Sequence, residues 1–147
     1  MYKKSILVTI MLLAVSIYAQ AQEVPYRIND KQVEQSLKRL KKDSDRFRKS
    51  LDSSLDRSRL NGTNREDDIN SFVKDFDKET ATLYDRFKDH KSVSGDVQTV
   101  LDRASRIERF MNRQQFRNGK AEHDWSVVRA DLDQLAQAYN VTWNWGM

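Results

Sequence analysis

Apolar residues fall into one continuous run near the start of the chain and four later stretches that step by three and four. That step is the spacing of one face of an α-helix. In the first stretch Val33, Leu37, Leu40, Ser44, Phe47 and Leu51 form the stripe, with Leu55 beside it, which predicts a helix over about Asp30 to Leu60. Asn29 suits its N-cap, with Gln32 three residues on. Ser44, Ser54 and Ser58 occupy seam positions where a bundle prefers apolar groups, so looser packing or partial exposure is expected there. Asn61-Gly62 stops this helix, because glycine takes the left-handed C-terminal conformation without a Cβ clash.

Thr63-Asn64-Arg65-Glu66 reads as a capping box, with the Thr63 hydroxyl on the Glu66 amide and the Glu66 carboxylate back on the Thr63 amide. Glu66, Asp67 and Asp68 also sit at the positive end of the helix dipole. The second stripe, Ile69, Phe72, Val73, Phe76, Thr80, Leu83, Tyr84 and Phe87, carries the helix to about Asp89. A turn over His90 to Gly95 follows, with Ser94 as N-cap of a third helix that ends near Arg117. Its stripe is Val97, Val100, Leu101, Ala104, Ile107 and Met111, with Phe110 alongside. Asn118-Gly119 is a second stop. The fourth helix spans about Lys120 to Tyr139 on Trp125, Val128, Leu132, Leu135 and Tyr139, and Ala130, Ala136 and Ala138 allow close approach of neighbours. Val141, Trp143 and Trp145 then alternate, which predicts an extended tail laying its tryptophans on the bundle.

Short connections make sequential helices antiparallel neighbours. The expected fold is therefore all-α, an up-down-up-down four-helix bundle with an extended aromatic C-terminal tail. At about 1.5 Å per residue the first helix would reach about 45 Å and overhang the others. The rival architecture is a three-helix core with the first helix partly separate or used for dimerisation.

The continuous apolar run changes where the domain starts. Lys3 and Lys4 precede it, it extends over Ser5 to Tyr18, and Ala19-Gln20-Ala21 supplies a small-x-small cleavage pattern. It is shorter than the ~20 residues of a membrane span. Residues 1–21 are thus expected to be a signal peptide removed near Ala21, residues 22–29 an N-terminal extension containing the one proline, Pro25, and residues 30–147 the bundle. Lipidation is excluded by the absence of cysteine. This places the mature protein in the periplasm or outside the cell.

Removing 21 of 147 residues leaves 126, enough for one domain. With Lys3 and Lys4 gone, 24 basic face 22 acidic residues, so the basic balance weakens to +2 and gives no reason to expect a nucleic-acid partner. With 33% of residues charged, disorder is the natural alternative. Against it stand the helical periods and the twelve aromatics that remain after cleavage.

Groups able to carry chemistry are sparse. His90 falls in a turn and His123 in the first turn of the fourth helix, and no Glu-x-x-His pair occurs. Glu122, His123 and Asp124 are adjacent, so a helix points them in different directions. Serines have no histidine partner or nucleophile elbow, and Gly62, Gly95, Gly119 and Gly146 form no phosphate loop. The acids alternate with bases at helical spacing, as in Glu34–Lys38, Asp45–Lys49 and Asp102–Arg106, which reads as solvated pairs. No catalytic, cofactor-binding or metal-binding residue is assigned, and no enzyme activity or cofactor is expected. One charge feature stands out: Lys38, Arg39, Lys41, Lys42, Arg46, Arg48 and Lys49 make a basic strip on the first helix. It is either a solvated outer face or a weak contact for an anionic envelope surface.

The stretch Trp125-Ser-Val-Val-Arg129-Ala-Asp-Leu132-Asp-Gln-Leu135-Ala136-Gln-Ala138-Tyr139-Asn140-Val141-Thr-Trp143-Asn-Trp145 resembles the C-terminal signature of a group of small exported bacterial helical proteins. Leu55-Asp-Arg57-Ser-Arg59-Leu60-Asn-Gly62-Thr63 and Asp67-Asp-Ile69-Asn-Ser-Phe72-Val73 are similar to other segments of that group. The resemblance implies export and a helical fold, and carries no activity or ligand. The functional expectation is an exported, non-enzymatic bundle acting through protein contacts in the cell envelope, with surplus exposed aromatics such as Phe110 and Phe116 as contact points. The alternative is a periplasmic bundle that binds a small ligand or lipid in a cavity opened by Ser44, Ser54 and Thr80.

Overall fold

The structure, a computed structural model, describes residues 29–114 and 119–145. Four helices account for most of them: α1 (Asp30–Leu55), α2 (Asn64–Lys88), α3 (Ser94–Gln114) and α4 (Lys120–Ala138). α1 packs against α2 and α4, and α3 closes the square against the same two, so the fold is the expected up-down four-helix bundle. The expected signal peptide over 1–21, residues 22–28 of the expected N-terminal extension, and the end of the expected third helix beyond Gln114, Phe116 included, lie outside the described residues.

Each predicted stripe lies in or against the core, with Phe72, Tyr84, Phe87 and Tyr139 only partly buried. Leu37, Phe47, Leu51 and Leu55 of α1, Phe76 and Leu83 of α2, Val97, Leu101 and Ile107 of α3, and Val128 and Leu132 of α4 are all fully buried. Phe47 and Phe76 both meet Trp125, with ring centroids 4.8 and 6.2 Å away, so three helices converge on one indole. Of the seam serines expected to pack loosely or stay partly exposed, Ser54 and Ser58 are partly exposed and Ser44 is fully buried. Thr80 is fully buried as well, and its Oγ1 donates to Asp77 O at 2.8 Å. Phe110, expected at the surface, is buried as well.

α1 ends at Leu55, short of the Leu60 expected from the stripe. Hydroxyl and amide side chains take over the backbone there. Ser54 Oγ donates to Ser50 O, Ser58 Oγ to Leu55 O, and Asn61 Nδ2 to Asp56 O, at 2.7, 2.8 and 2.7 Å. The chain leaves the helix in successive short turns and reverses at Gly62, whose φ of +74° is left-handed. Thr63 then caps α2 as expected, accepting from the Glu66 amide at 3.3 Å. The return arm of the box differs. The Glu66 carboxylate accepts from the Gly62 amide at 2.6 Å, because the Thr63 amide is already held by Leu60 O at 3.0 Å. Ser94 is the first helical residue of α3 rather than its cap; the Val97 amide donates to Val93 O, and Val93 is buried.

Beyond the turn at Tyr139 and Asn140 the tail is non-helical and packs on the bundle, with Val141, Trp143 and Trp145 partly buried and Thr142 and Asn144 exposed, the alternation its sequence predicts. Asn140, at φ +50°, makes the reversal, with Val141 N donating to Ala136 O at 2.9 Å. The Trp145 ring meets Trp125 edge-on at 6.0 Å and lies 4.7 Å from the Arg129 guanidinium, while its indole N–H donates to Asp133 at 3.0 Å.

Candidate functional site

Four places gather polar chemistry, two inside the bundle and two on its surface. The first is on the α3–α4 side. Glu108 is buried on α3, and its carboxylate accepts from the Trp125 indole N–H at 2.6 Å, Arg129 at 3.1 Å and Asn112 at 3.2 Å. Three donors satisfy it, and the aromatic tail roofs the cluster through Trp145. Its geometry is that of a clasp between helices.

The second lies in the α1–α4 seam, where Asp43 and Asp131 face one another, both buried. Asp131 Oδ1 accepts from Arg39 at 3.4 Å, Asp43 Oδ1 pairs with Arg46 at 2.9 Å, and Asp131 Oδ2 is enclosed without a donor. Burial, and then the facing Asp43 carboxyl, push Asp131 up to about 6, while Arg39 pulls the other way less strongly. Below that pH a proton on Asp131, shared with the Asp43 carboxyl, supplies the donor that Oδ2 lacks. The signal in the sequence is Asp124 and Asp131, seven residues apart and each one position before a stripe residue. Asp124 is buried too, with Oδ2 unpartnered.

On the surface, the basic strip of α1 is largely occupied with its own neighbours. Arg39 reaches Asp131 and Gln134, Lys41 pairs with Asp85, Arg46 with Asp43, Arg48 with Asp45 and Asp77, and Lys49 with Asp45. The pairing with Lys49 and Arg48 holds Asp45 below the ordinary carboxylate range. The expected Asp45–Lys49 pair thus forms, at 2.7 Å.

A groove between the start of α2 and the end of α3 differs. It has a volume of about 320 Å³ and is lined by Arg65, Asp68, Ile69, Phe72, Arg106, Phe110 and Arg113. Ile69 and Phe110 form a covered floor, and Phe72 is partly open, with Arg103 stacked on its ring at 5.4 Å. The two histidines lie at opposite ends of the bundle and are exposed; His90 takes φ +55° in the α2–α3 turn. Among the described residues no three His, Cys, Asp or Glu side chains converge as a metal site, and no helix is long and apolar enough to cross a membrane. Ser44, Ser54 and Thr80 line neither this groove nor the depressions at the α1 N-terminus, the α1–α2 face and the α1–α4 end.

No family model, curated protein or solved structure matches the chain.

Proposed function

We propose that this chain is an exported, non-enzymatic helical bundle that works by non-covalent contact with other components of a bacterial cell envelope. One observation carries the non-enzymatic part. Asp131, the group most perturbed by burial, is sealed in a helix seam and lines none of the four surface depressions described above. Acid–base chemistry requires the opposite arrangement, a perturbed group opening into a cleft that holds substrate. Glu108 is likewise spent on Trp125, Arg129 and Asn112. Export rests on the Lys3-Lys4 n-region, the apolar run and the Ala19-Gln20-Ala21 pattern, and on the resemblance carried by the C-terminal stretch.

The test is cell fractionation with N-terminal sequencing of the accumulated protein, followed by cross-linking in intact cells. The reading expects a chain that begins at Gln22 in the periplasmic or external fraction and cross-links to envelope material. A cytoplasmic chain that retains Met1 ends it.

A further inference from the structure

From the α2–α3 groove we infer a docking surface for a membrane rich in anionic phospholipid, with the arginines on the headgroup phosphates and Phe72 at the headgroup level. The inference deepens the envelope-contact reading above and depends on it. Arg65, Arg106 and Arg113 are exposed, and none forms an ion pair among the described residues. On α1, by contrast, five of the seven strip bases, Arg39, Lys41, Arg46, Arg48 and Lys49, are paired with carboxylates, and only Lys38 and Lys42 form no ion pair among the described residues. Asp68 also lines the groove and pairs with none of the three arginines.

The chemistry narrows the occupant. Guanidinium groups bind phosphate oxygens in a fork, and three of them around an apolar floor suit an anion with an apolar attachment. Both walls are helices whose backbone groups are bonded internally, so the groove has no free strand edge on which a peptide main chain could be read. At about 320 Å³ and widely open, it cannot enclose an acyl chain. A lipid that keeps its tails in the bilayer fits, and a free amphiphile would leave its tail in water.

Sedimentation with vesicles tests this, using protein purified in the form the cell accumulates. Wild type is expected to bind vesicles of phosphatidylglycerol and phosphatidylcholine, to ignore pure phosphatidylcholine, and to weaken with salt. Each basic residue near an anionic surface is worth roughly fivefold in partitioning, so the combined Arg65→Gln, Arg106→Gln and Arg113→Gln variant should bind about a hundredfold more weakly. A charge-matched control, Lys38→Gln with Lys42→Gln and Lys78→Gln, changes three exposed lysines outside the groove and should stay within about twofold of wild type. Circular dichroism confirms that both variants fold. Equal losses in both variants, or no preference for anionic vesicles, overturn the proposal. So does binding of free glycerol phosphate or an acidic peptide without vesicle binding, which assigns the groove to a soluble partner. Absent vesicle binding alongside protein cross-links in the cell would sink this inference and leave the broader reading standing.

Discussion

Replacing Glu108 with alanine is the sharpest test of what holds the bundle together. Trp125 is 3% exposed, and its indole N–H has Glu108 as its acceptor. Deleting the carboxylate strands that buried donor, at a cost of about 1–3 kcal/mol. Arg129 keeps 39% of its side chain in solvent, so loss of its ion pair adds at most about 1 kcal/mol. The missing methylenes leave a small void worth roughly another 1 kcal/mol. The sum is about 2–5 kcal/mol, a fall in melting temperature of roughly 4 °C for each kcal/mol in a domain of this size. Urea unfolding followed by tryptophan fluorescence measures it directly. Adding Trp125→Phe completes a double-mutant cycle with an expected coupling of about 1–2 kcal/mol. Should Glu108→Ala fall within about 0.5 kcal/mol of wild type, or the cycle show no coupling, the clasp does not exist as described.

The carboxyl pair in the α1–α4 seam gives stability an unusual slope. Asp131 rises to about 6 in the fold and is near 3.9 unfolded, so between roughly pH 4 and 6 the folded chain holds a proton that the unfolded chain has released. Its contribution is therefore greatest below pH 4 and is lost as pH rises through that window, by about 2–3 kcal/mol. Asp131→Asn should remove this component and be more stable than wild type at pH 7.5; parallel wild-type and variant profiles would contradict the pairing. Gly62→Ala meets no neighbouring atom but must hold φ +74°, so a loss of about 1 kcal/mol in chemical denaturation is expected, and no loss would mean the turn relaxes. Trp125→Ala and Leu132→Ala, both in the core, should cost about 3–5 and 2–5 kcal/mol, read as melting shifts. Trp145→Ala, which loses a ring contact, an indole hydrogen bond and a stacked guanidinium, should cost less, about 1–3 kcal/mol by the same measurement.

The helices were legible because burial imposes its period on every residue of a stripe. A few exceptions, such as Ser44 or Thr80, did not erase the rhythm. What the period could not tell is how polar side chains settle local competition for backbone groups. That competition ended α1 at Leu55 and turned the Glu66 carboxylate to Gly62, while α3 starts at Ser94 because the Val93 carbonyl accepts from the Val97 amide. Phe110 was misplaced for a related reason. Beside a stripe a residue is inside or outside according to the rotation of the neighbouring helix, which one helix's pattern does not contain. The Asp43–Asp131 pair and the Glu108 clasp are tertiary facts. Each needs two helices in register, and in sequence their members look like ordinary solvated acids. The groove is hidden in the same way, since Arg65 and Arg113 meet only when α2 and α3 run antiparallel.

The seam between α1 and α4 joins the two helices that are farthest apart along the chain. During synthesis the Leu37–Phe47 face can find α2 early, yet its other flank stays wet until Trp125 and Leu132 have been made. Closing that loop of about eighty residues is an entropic toll met late, so a nascent chain lacking the fourth helix should be loose, protease-sensitive and easily threaded through a pore. Topology alone thus delays consolidation until nearly the whole bundle exists.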